Sequence, residues 1–551
     1  MSSPDEPREP PASAPPPGAA PAAPAAEGAG VGSEVGGPYA NYVLFALVLL
    51  YVTNFIDRQI PSILAEELKR DLGITDADLG FLYGTAFAIF YAVFGIPLGK
   101  VADTWDRRKL ISVGLFFWSC MTAASGLARS FAQLAIPRIG VGIGEASASP
   151  AAFSMLSDYF SPARRTTALA IYSSGIYIGA GVGLFLGGWI TDTWNGWYPS
   201  REQAPFGLAG WQVTYFVVGV PGLLQALWIR SLREPVRGMS DGLVAAPYTG
   251  PGPLRVFWEE LRALLPGFSL LALREAGAGP RLLLANLAAG AGIVAAGALL
   301  TGWLGNPAQW IALGIGLYCA CSWIQGLALR DAPTFALTFR TPSLVYSCLG
   351  FSFIAFTGYS IAFFTTPFFV RYHGISLTEI GAVLGLTAAI GGFIGVTFGG
   401  VVADMFLERN RRARLYVAIF TAIVPVPFVI WLLTTENIVL AYVLNFVVSI
   451  VAGMWIGPGA STIQDLVLPR MRAVASASYL LIITFIGLAL GPYTVGRVSV
   501  ALDDLRTAMI LAMAMNAVAV LFLVLAARTL PEDEQSRVER ARDAGEPGLP
   551  A

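Results

Sequence analysis

Four ionisable residues stand where hydrocarbon would be expected. Asp57 and Arg58 lie side by side in NFIDRQ (54–59), within an otherwise apolar stretch. Arg138 and Glu145 lie in RIGVGIGEA (138–146), within another. A charge inside a membrane-spanning helix costs ~2.5–3.5 kcal/mol on insertion scales, so such groups face a partner or a water-filled cavity and mark ion pathways. The chemistry open to them is ion pairing and proton transfer. A carboxylate in a low dielectric resists ionisation, and an arginine beside it opposes that effect. A carboxylate whose arginine partner changes with conformation is therefore a proton switch. We read Asp57 and Glu145 as proton-coupling acids. Arg58 and Arg138 are read as their alternating partners and as anchors for an anionic substrate group.

Spacing supports that reading. Seven residues are about two helical turns, so Arg138 and Glu145 share nearly one helix face as a vertical pair. Asp57 and Arg58 are ~100° apart around their helix and do not simply neutralise each other. At 1.5 Å per residue, Asp57 and Arg138 lie at a similar depth, ~9 Å below the same membrane boundary. A static ion-pair network is the competing reading, but a network built for stability alone is poorly justified energetically.

Other chemistries lack their residues. The single histidine, His373, excludes a multi-histidine metal site, and Cys120, Cys319, Cys321 and Cys348 have no zinc-ligand spacing. GIPLGK (95–100) is too short to be a phosphate-binding loop. With no nucleophile–base pair, the chain reads as a non-enzyme that needs no metal or cofactor. A net charge of −1 argues against a nucleic-acid partner.

The elements that position these residues follow from composition. The 551 residues are 55% hydrophobic and only 13% charged, with mean hydropathy +0.63. That points to an all-α polytopic membrane protein. Stretches of ~20 apolar residues, enough to span a bilayer, fall near 40–63, 78–100, 109–128, 132–155, 167–191, 211–230, 281–303, 309–329, 343–370, 378–403, 415–434, 438–461, 473–496 and 507–528. That is 14 spans. Arginine- and lysine-rich loops alternate with basic-poor ones, which places both termini in the cytoplasm. Residues 1–38, rich in Pro, Ala and Gly, read as a disordered cytoplasmic tail dispensable for transport. That composition and the arginine-dominated base count suit a bacterial, high-GC source.

The chain repeats internally. GKVADTWDRRK (99–109) resembles GVVADMFLERNRR (400–412), and DYFSPARRTTA (158–168) resembles DLVLPRMRAVA (465–475). Both offsets are about 300 residues, and duplicated halves mark secondary transporters. We therefore expect an N-terminal six-helix bundle at 39–235 and a C-terminal one at 341–530. The linker 236–340 carries an amphipathic helix at 254–265 and an inserted two-helix hairpin, and 531–551 is a charged cytoplasmic tail.

These motifs, with their order and spacing, resemble those of the major facilitator superfamily. NFIDRQ, GIGEASASP (142–150) and SDYF (157–160) resemble its Spinster-type branch, which carries sphingolipids and lysolipids. The resemblance implies a major facilitator fold and a gate formed by Gly99, Asp103, Arg107 and Arg108 in the first half and Asp404 and Arg411 in the second. Such aspartates latch the cytoplasmic side. Here Asp106 replaces the usual glycine of the first copy, and Glu408 is extra in the second. The glycines of the fifth span, at 175, 179, 181, 183, 187 and 188, are implied to line a sliding contact between halves.

The second half offers no comparable interior charge. Its cavity candidates are Tyr359, Ser360, Trp455 and Tyr479, with Thr365, Thr366 and Gln464 beside them. A charged wall opposite an aromatic one suits an amphiphile. The expected function is proton-coupled secondary active transport by alternating access. The substrate implied by the resemblance is a lysophospholipid or sphingolipid phosphate; small organic anions or drugs are the alternative. A polytopic membrane enzyme and a transport-dead receptor are the rivals from other classes. The expected setting is the inner (plasma) membrane, with protons and membrane lipids as partners and a monomer as the working unit.

Overall fold

In hydrocarbon every backbone N–H and C=O must pair within its own segment, which selects helices for these apolar stretches. The computed structural model describes residues 35–241, 248–407 and 409–546, and all regular elements among them are helical. The first half comprises α1 (Pro38–Ile63), α2 (Asp76–Thr104), α3 (Arg107–Ser125), α4 (Phe131–Glu145), α5 (Ala148–Tyr159), α6 (Pro162–Trp197) and α7 (Gly210–Arg230). The linker holds α8 (Pro253–Leu264), α9 (Phe268–Glu275), α10 (Pro280–Leu304) and α11 (Pro307–Arg330). The second half comprises α12 (Pro342–His373), α13 (Leu377–Leu407), α14 (Ala413–Thr434), α15 (Ile438–Asp465), α16 (Pro469–Leu502) and α17 (Leu505–Gln535).

Local chemistry starts and stops these helices. Pro38, Pro162, Pro280, Pro307 and Pro342 open theirs, where the missing N–H has no intrahelical partner to lose. Asp106, the departure from the first gating motif, caps α3 by accepting a hydrogen bond from the Lys109 N–H at 3.1 Å. Asp504 caps α17 in the same way, through the Thr507 N–H at 3.1 Å.

Twelve helices among the described residues are long and apolar enough to cross a membrane, and α10 and α11 are two of them. The twelve do not include α3, which carries Arg107, Arg108 and Lys109 in its first turn, or the α4–α5 region. The fourth apolar stretch, expected as one helix over 132–155, is broken at Ala146–Ser147. Part of the segment expected as a charged C-terminal tail is helical. Helix α17 continues through Gln535 and a further helix covers Arg537–Asp543. Asp533 holds this segment by accepting from the Ser343 N–H at 2.8 Å. Most of the tail expected at 1–38, and Glu408 of the second gating motif, fall outside the described residues.

The halves meet along two seams. Helix α6 packs on α1 within its half and on α13 across the divide. Of the α6 glycines, Gly175, Gly179, Gly183 and Gly187 admit α1, whereas Gly181 and Gly188 admit α13. A Cβ at Gly188 would lie 2.2 Å from the Leu377 carbonyl oxygen. The second seam joins α2 to α16, where Cβ atoms at Gly80 and Gly496 would strike opposing backbone at 2.4 and 2.1 Å. Both helices widen into π-helical turns here, at Phe81–Thr85 and Ile483–Leu490.

Ionic contacts differ between the two ends of the molecule. At the closed end, Arg371 of α12 donates to both carboxylate oxygens of Asp76 at 2.5 and 2.7 Å and to Glu66 at 2.7 Å. Ser499 adds a hydrogen bond to Asp76 at 2.7 Å, and Ser62 donates to the Phe363 carbonyl at 2.8 Å. Thr378 of α13 donates through N–H and hydroxyl to Asp192 of α6. All of these cross from one half to the other. At the opposite, terminal end, where Gly36 bonds Tyr159 and Arg470 bonds Glu546, the ion pairs among the described residues do not cross between the halves, though Arg470 also binds Asp331 of the linker.

Asp76 is only 2% exposed. Lys69 of its own half also binds it at 3.0 Å and would remain, so losing Arg371 removes the bidentate cross-half pair but not the whole of the about 3–5 kcal/mol of an unpaired buried charge. We predict that Arg371→Ala drives the closed end open, read as a longer interhalf distance there by pulsed electron resonance on spin-labelled protein. An unchanged distance distribution would show that the apolar and glycine contacts alone hold this end.

Candidate functional site

Glycines place the interior charges. Gly142 of α4 lies on the Phe87 backbone of α2, where a Cβ would come within 2.5 Å of the carbonyl oxygen. Gly144 lies equally close to Trp118 of α3. These approaches bring Glu145 into the core of the first half, fully buried. The helix breaks immediately beyond it, and the Ser147 hydroxyl turns back to the Gly144 carbonyl at 2.8 Å.

Arg58 donates its Nε–H to Glu145 Oε2 at 2.8 Å. Its guanidinium is held among the rings of Phe55, Phe87 and Tyr91, 4.7 to 4.9 Å from their centroids. Cation–π contacts of this kind gain strength when desolvated. Arg58 is 20% exposed while Glu145 is not exposed at all, so the pair joins an open surface to the interior.

The expected vertical pairing of Arg138 with Glu145 is replaced by another arrangement. Arg138, 2% exposed, donates to the backbone carbonyl of Asp57 at 3.4 Å, and Arg58 takes Glu145. Both Asp57 carboxylate oxygens are buried without a protein hydrogen bond. The Trp118 indole N–H and the Thr122 hydroxyl face that carboxylate but close no hydrogen bond to it, and Tyr215 stands nearby, its hydroxyl also unpaired. Buried polar atoms are normally satisfied, and a concentration of unsatisfied ones marks a functional or hydrated locus. Sequence reasoning missed Trp118, Thr122 and Tyr215, because single polar groups in apolar helices read as packing.

Arg58 and Arg138 line one wall of a cavity of about 360 Å³ between the halves. Tyr359 and Trp455 line the facing wall, together with Thr365 and Thr366. Ser360 and Tyr479 do not line it. The Ser360 hydroxyl donates to the Phe356 carbonyl of its own helix at 2.6 Å. Tyr479 lies edge-on to Phe351, which stacks on Trp455 at 5.8 Å, so it supports the wall from behind. Gln464 reaches Ser476 at 3.5 Å instead. Two lining amides went unnoticed in the sequence. Asn445 donates to Thr387 at 2.9 Å, and Asn516 accepts from Thr357 at 2.9 Å. Each is a lone asparagine in a long apolar run, the only available signal.

The gating residues are distributed at the terminal end. Arg107 is fully buried and bonds Asp158 at 2.5 Å, Glu234 at 2.7 Å and Ser154 at 2.7 Å. The Arg108 backbone N–H donates to Glu234 at 3.1 Å. Asp103 is exposed, and a Cβ at Gly99 would meet nothing. Within the second half, Arg411 approaches Glu534 at 3.7 Å, and Asp404 lies 3.9 Å from Arg414, which also binds Asp465. Asp331, which follows α11, is hydrogen-bonded by Arg470 and held down at about 2 by that guanidinium. Among the described residues no group of three or more His, Cys, Asp or Glu converges as metal ligands would.

Known proteins resemble this chain throughout. A family model described as Major Facilitator Superfamily matches residues 47–492. An MFS-type efflux pump of Mycolicibacterium smegmatis is 27% identical over 458 residues, covering 83% of this chain and 84% of the pump. Protein spinster homolog 1 of Homo sapiens is 24% identical over 84% of this chain and 73% of its own. The crystal structure of a bacterial homologue of the human lysosomal transporter Spinster, inward-facing and unoccupied, superimposes with a TM-score of 0.66 at 27% identity, covering 90% of this chain and 98% of that one. These relatives point to a transporter rather than an enzyme, and with twelve membrane-length helices they make the chain an integral membrane protein. The family match over most of its length, after the motifs and paired helical halves, settles its membership: the chain belongs to the Major Facilitator Superfamily.

Proposed function

We propose that the chain is a proton-coupled secondary transporter that works by alternating access on an amphiphilic anionic or zwitterionic substrate. One observation carries this reading: Arg58 faces the central cavity while it neutralises the wholly buried Glu145. An anionic headgroup that draws Arg58 into the cavity leaves Glu145 buried without its cation. A bare carboxylate there is costly, and a proton neutralises it. Substrate binding and protonation then favour each other, and by linkage each strengthens the other equally. Arg138 and Asp57 form the neighbouring station, which takes part when the arginines exchange partners.

In this reading α3 and the α4–α5 region also cross the bilayer, giving fourteen spans. Six form each half, and α10–α11 is an inserted hairpin. The basic loops support placing both termini, and the terminal end of the molecule, on the cytoplasmic side of the inner membrane, and in this reading the chain works as a monomer. The gating residues are then apart because this is the state in which the cytoplasmic latch is released.

The facing wall of Tyr359, Trp455 and Ile354 suits an apolar body, and the Spinster relatives support a lysophospholipid or sphingolipid phosphate. A second reading, a small organic anion, is supported by the Escherichia coli probable L-galactonate transporter. That relative is 28% identical over 185 residues but covers only 33% of this chain and 37% of its own length. Uptake into proteoliposomes of a lysophospholipid and of a sugar acid, with and without a pH gradient, separates the two.

We predict that Glu145→Gln and Asp57→Asn lower gradient-driven uptake by roughly 5- to 150-fold, the span of ordinary coupling energies, while the protein still inserts. Arg138→Ala should move the pH optimum upward. Wild-type, pH-dependent flux in both amide variants would make these residues a static network.

Thr122 and Trp118 are assigned as positioning residues for Asp57. Their donors close no hydrogen bond to the carboxylate in this state; in the proposed cycle they close on it when it ionises, so Thr122→Val and Trp118→Phe should let it keep its proton to higher pH. The midpoint of the flux–pH curve should rise by roughly one unit, the equivalent of one hydrogen bond to a charge, and Thr122→Ser should restore it. A lower flux with an unmoved midpoint would reduce both residues to packing.

A further inference from the structure

The helix pair α10–α11 has no counterpart in the duplicated halves, and its placement gives it a task. Helix α10 faces outward along most of its length, with Leu284, Val294, Leu299 and Trp303 exposed. Helix α11 instead lies along the seam between α2 and α16. Gln309, fully buried two residues into α11, accepts a hydrogen bond from the Thr85 hydroxyl of α2 at 2.7 Å. The same hydroxyl lies 2.8 Å from the Ala489 carbonyl of α16. Three helices thus meet at one hydroxyl, within the π-helical turns of both seam helices. Such turns interrupt the regular hydrogen-bond ladder and recur at functional positions.

Further contacts run to both sides. Asn306, in the hairpin turn, reaches Asp78 of the first half at 3.4 Å. The Leu304 carbonyl accepts from Arg497 of the second half at 2.9 Å, and Trp310 packs edge-on against Tyr493 at 5.4 Å. Deeper in, Gly316 lies between Ile89 of α2 and Phe485 of α16, where a Cβ would come within 2.6 and 3.1 Å of their side chains. At the terminal end the hairpin is tied to the second half by Asp331 and Arg470, 2.7 Å apart. Its approach is tied to the first half by Phe257 of α8 against Phe94 of α2.

We propose that α10–α11 is a brace across the closed end, which biases the transporter toward the state with that end shut. Opening the closed end separates α2 from α16 and must break the Gln309–Thr85 contact, the Trp310–Tyr493 contact, or both. A ligand of both halves in one state and of one half in the other shifts the equilibrium by its differential contacts. The hairpin supplies such contacts from within the chain. This inference rests on the two-half, alternating-access reading above.

The test uses full-length protein in which Cys120, Cys319, Cys321 and Cys348 are replaced by alanine. Spin labels are attached through Glu202→Cys and Glu436→Cys, exposed positions on closed-end loops of opposite halves. Pulsed electron resonance then reads the distance between halves without any substrate. Gln309→Ala should raise the open population at this end by roughly 5-fold, the low end of ordinary coupling. Leu299→Ala, on the outward face of α10, should leave it unchanged. Trp310→Ala and Asn306→Ala repeat the test at the turn if Gln309→Ala does not insert. Unchanged distances in the seam variants that do insert would overturn the brace while leaving transport untouched. An equal shift in Leu299→Ala would overturn it too, by showing a general loosening of the hairpin. A parent protein whose two ends never exchange accessibility would instead overturn the alternating-access reading.

Discussion

An ionised side chain held among apolar helices needs an opposite charge within reach, and much of this architecture follows from that requirement. Glu145 is buried without exposure, so Arg58 must meet it. Arg58 in turn needs a desolvated cradle, and Phe55, Phe87 and Tyr91 supply one. The helix that carries Glu145 is seated against α2 and α3 by Gly142 and Gly144, where any side chain would hold it away. The broken backbone at Ala146–Ser147 follows directly after the acid. One pair of charges thus sets the packing of three helices, and the wall of the cavity is what remains of the arginine's surface.

The two ends of the molecule satisfy their charges differently. At the closed end some charges of one half are satisfied by the other, as Asp76 is by Arg371 in addition to its own half's Lys69. At the terminal end the charges are satisfied at home: Arg107 by Asp158 and Glu234, Arg414 by Asp465. A conformational cycle in such a molecule trades one set of partners for another without leaving a charge bare. The free-energy difference between states can then stay within a few kcal/mol, the range in which a bound ligand or proton decides the population.

The spans were legible because hydropathy over some twenty residues is a strong signal. Most helix ends in the structure lie within a few residues of the expected limits. The break at Ala146–Ser147 was not read, although Pro150 offers no N–H to the Ala146 carbonyl and so interrupts the helical ladder there. The interior charges stood out because charged residues in apolar runs are rare; their partners did not. Which arginine meets Glu145 depends on helix rotation, and a residue count along one helix says nothing about the face its neighbour presents. The same limit explains Ser360 and Tyr479. Both are polar and at plausible depth, yet one is bonded within its helix and the other stands behind Phe351. Arg371 and Asp76 lie near helix ends, where charge is unremarkable until the two halves are seen together.

The contact between α6 and α13 has a further consequence. Gly181 faces Gly385, and Gly188 and Gly381 lie against opposing backbone. Along these stretches the two surfaces meet main chain to main chain, with few side chains to mesh like gear teeth. Interlocked side chains would act as detents, each needing to be lifted over its neighbour as one helix moved along the other. A smooth contact has a shallow energy profile along the direction of motion, while remaining steep against separation because atoms are so close. In the proposed cycle it would serve as a bearing: it would hold the axle while letting it turn. An added methyl group at Gly181 or Gly385 would act as grit, impeding the rate of exchange between states more than the fold of either half.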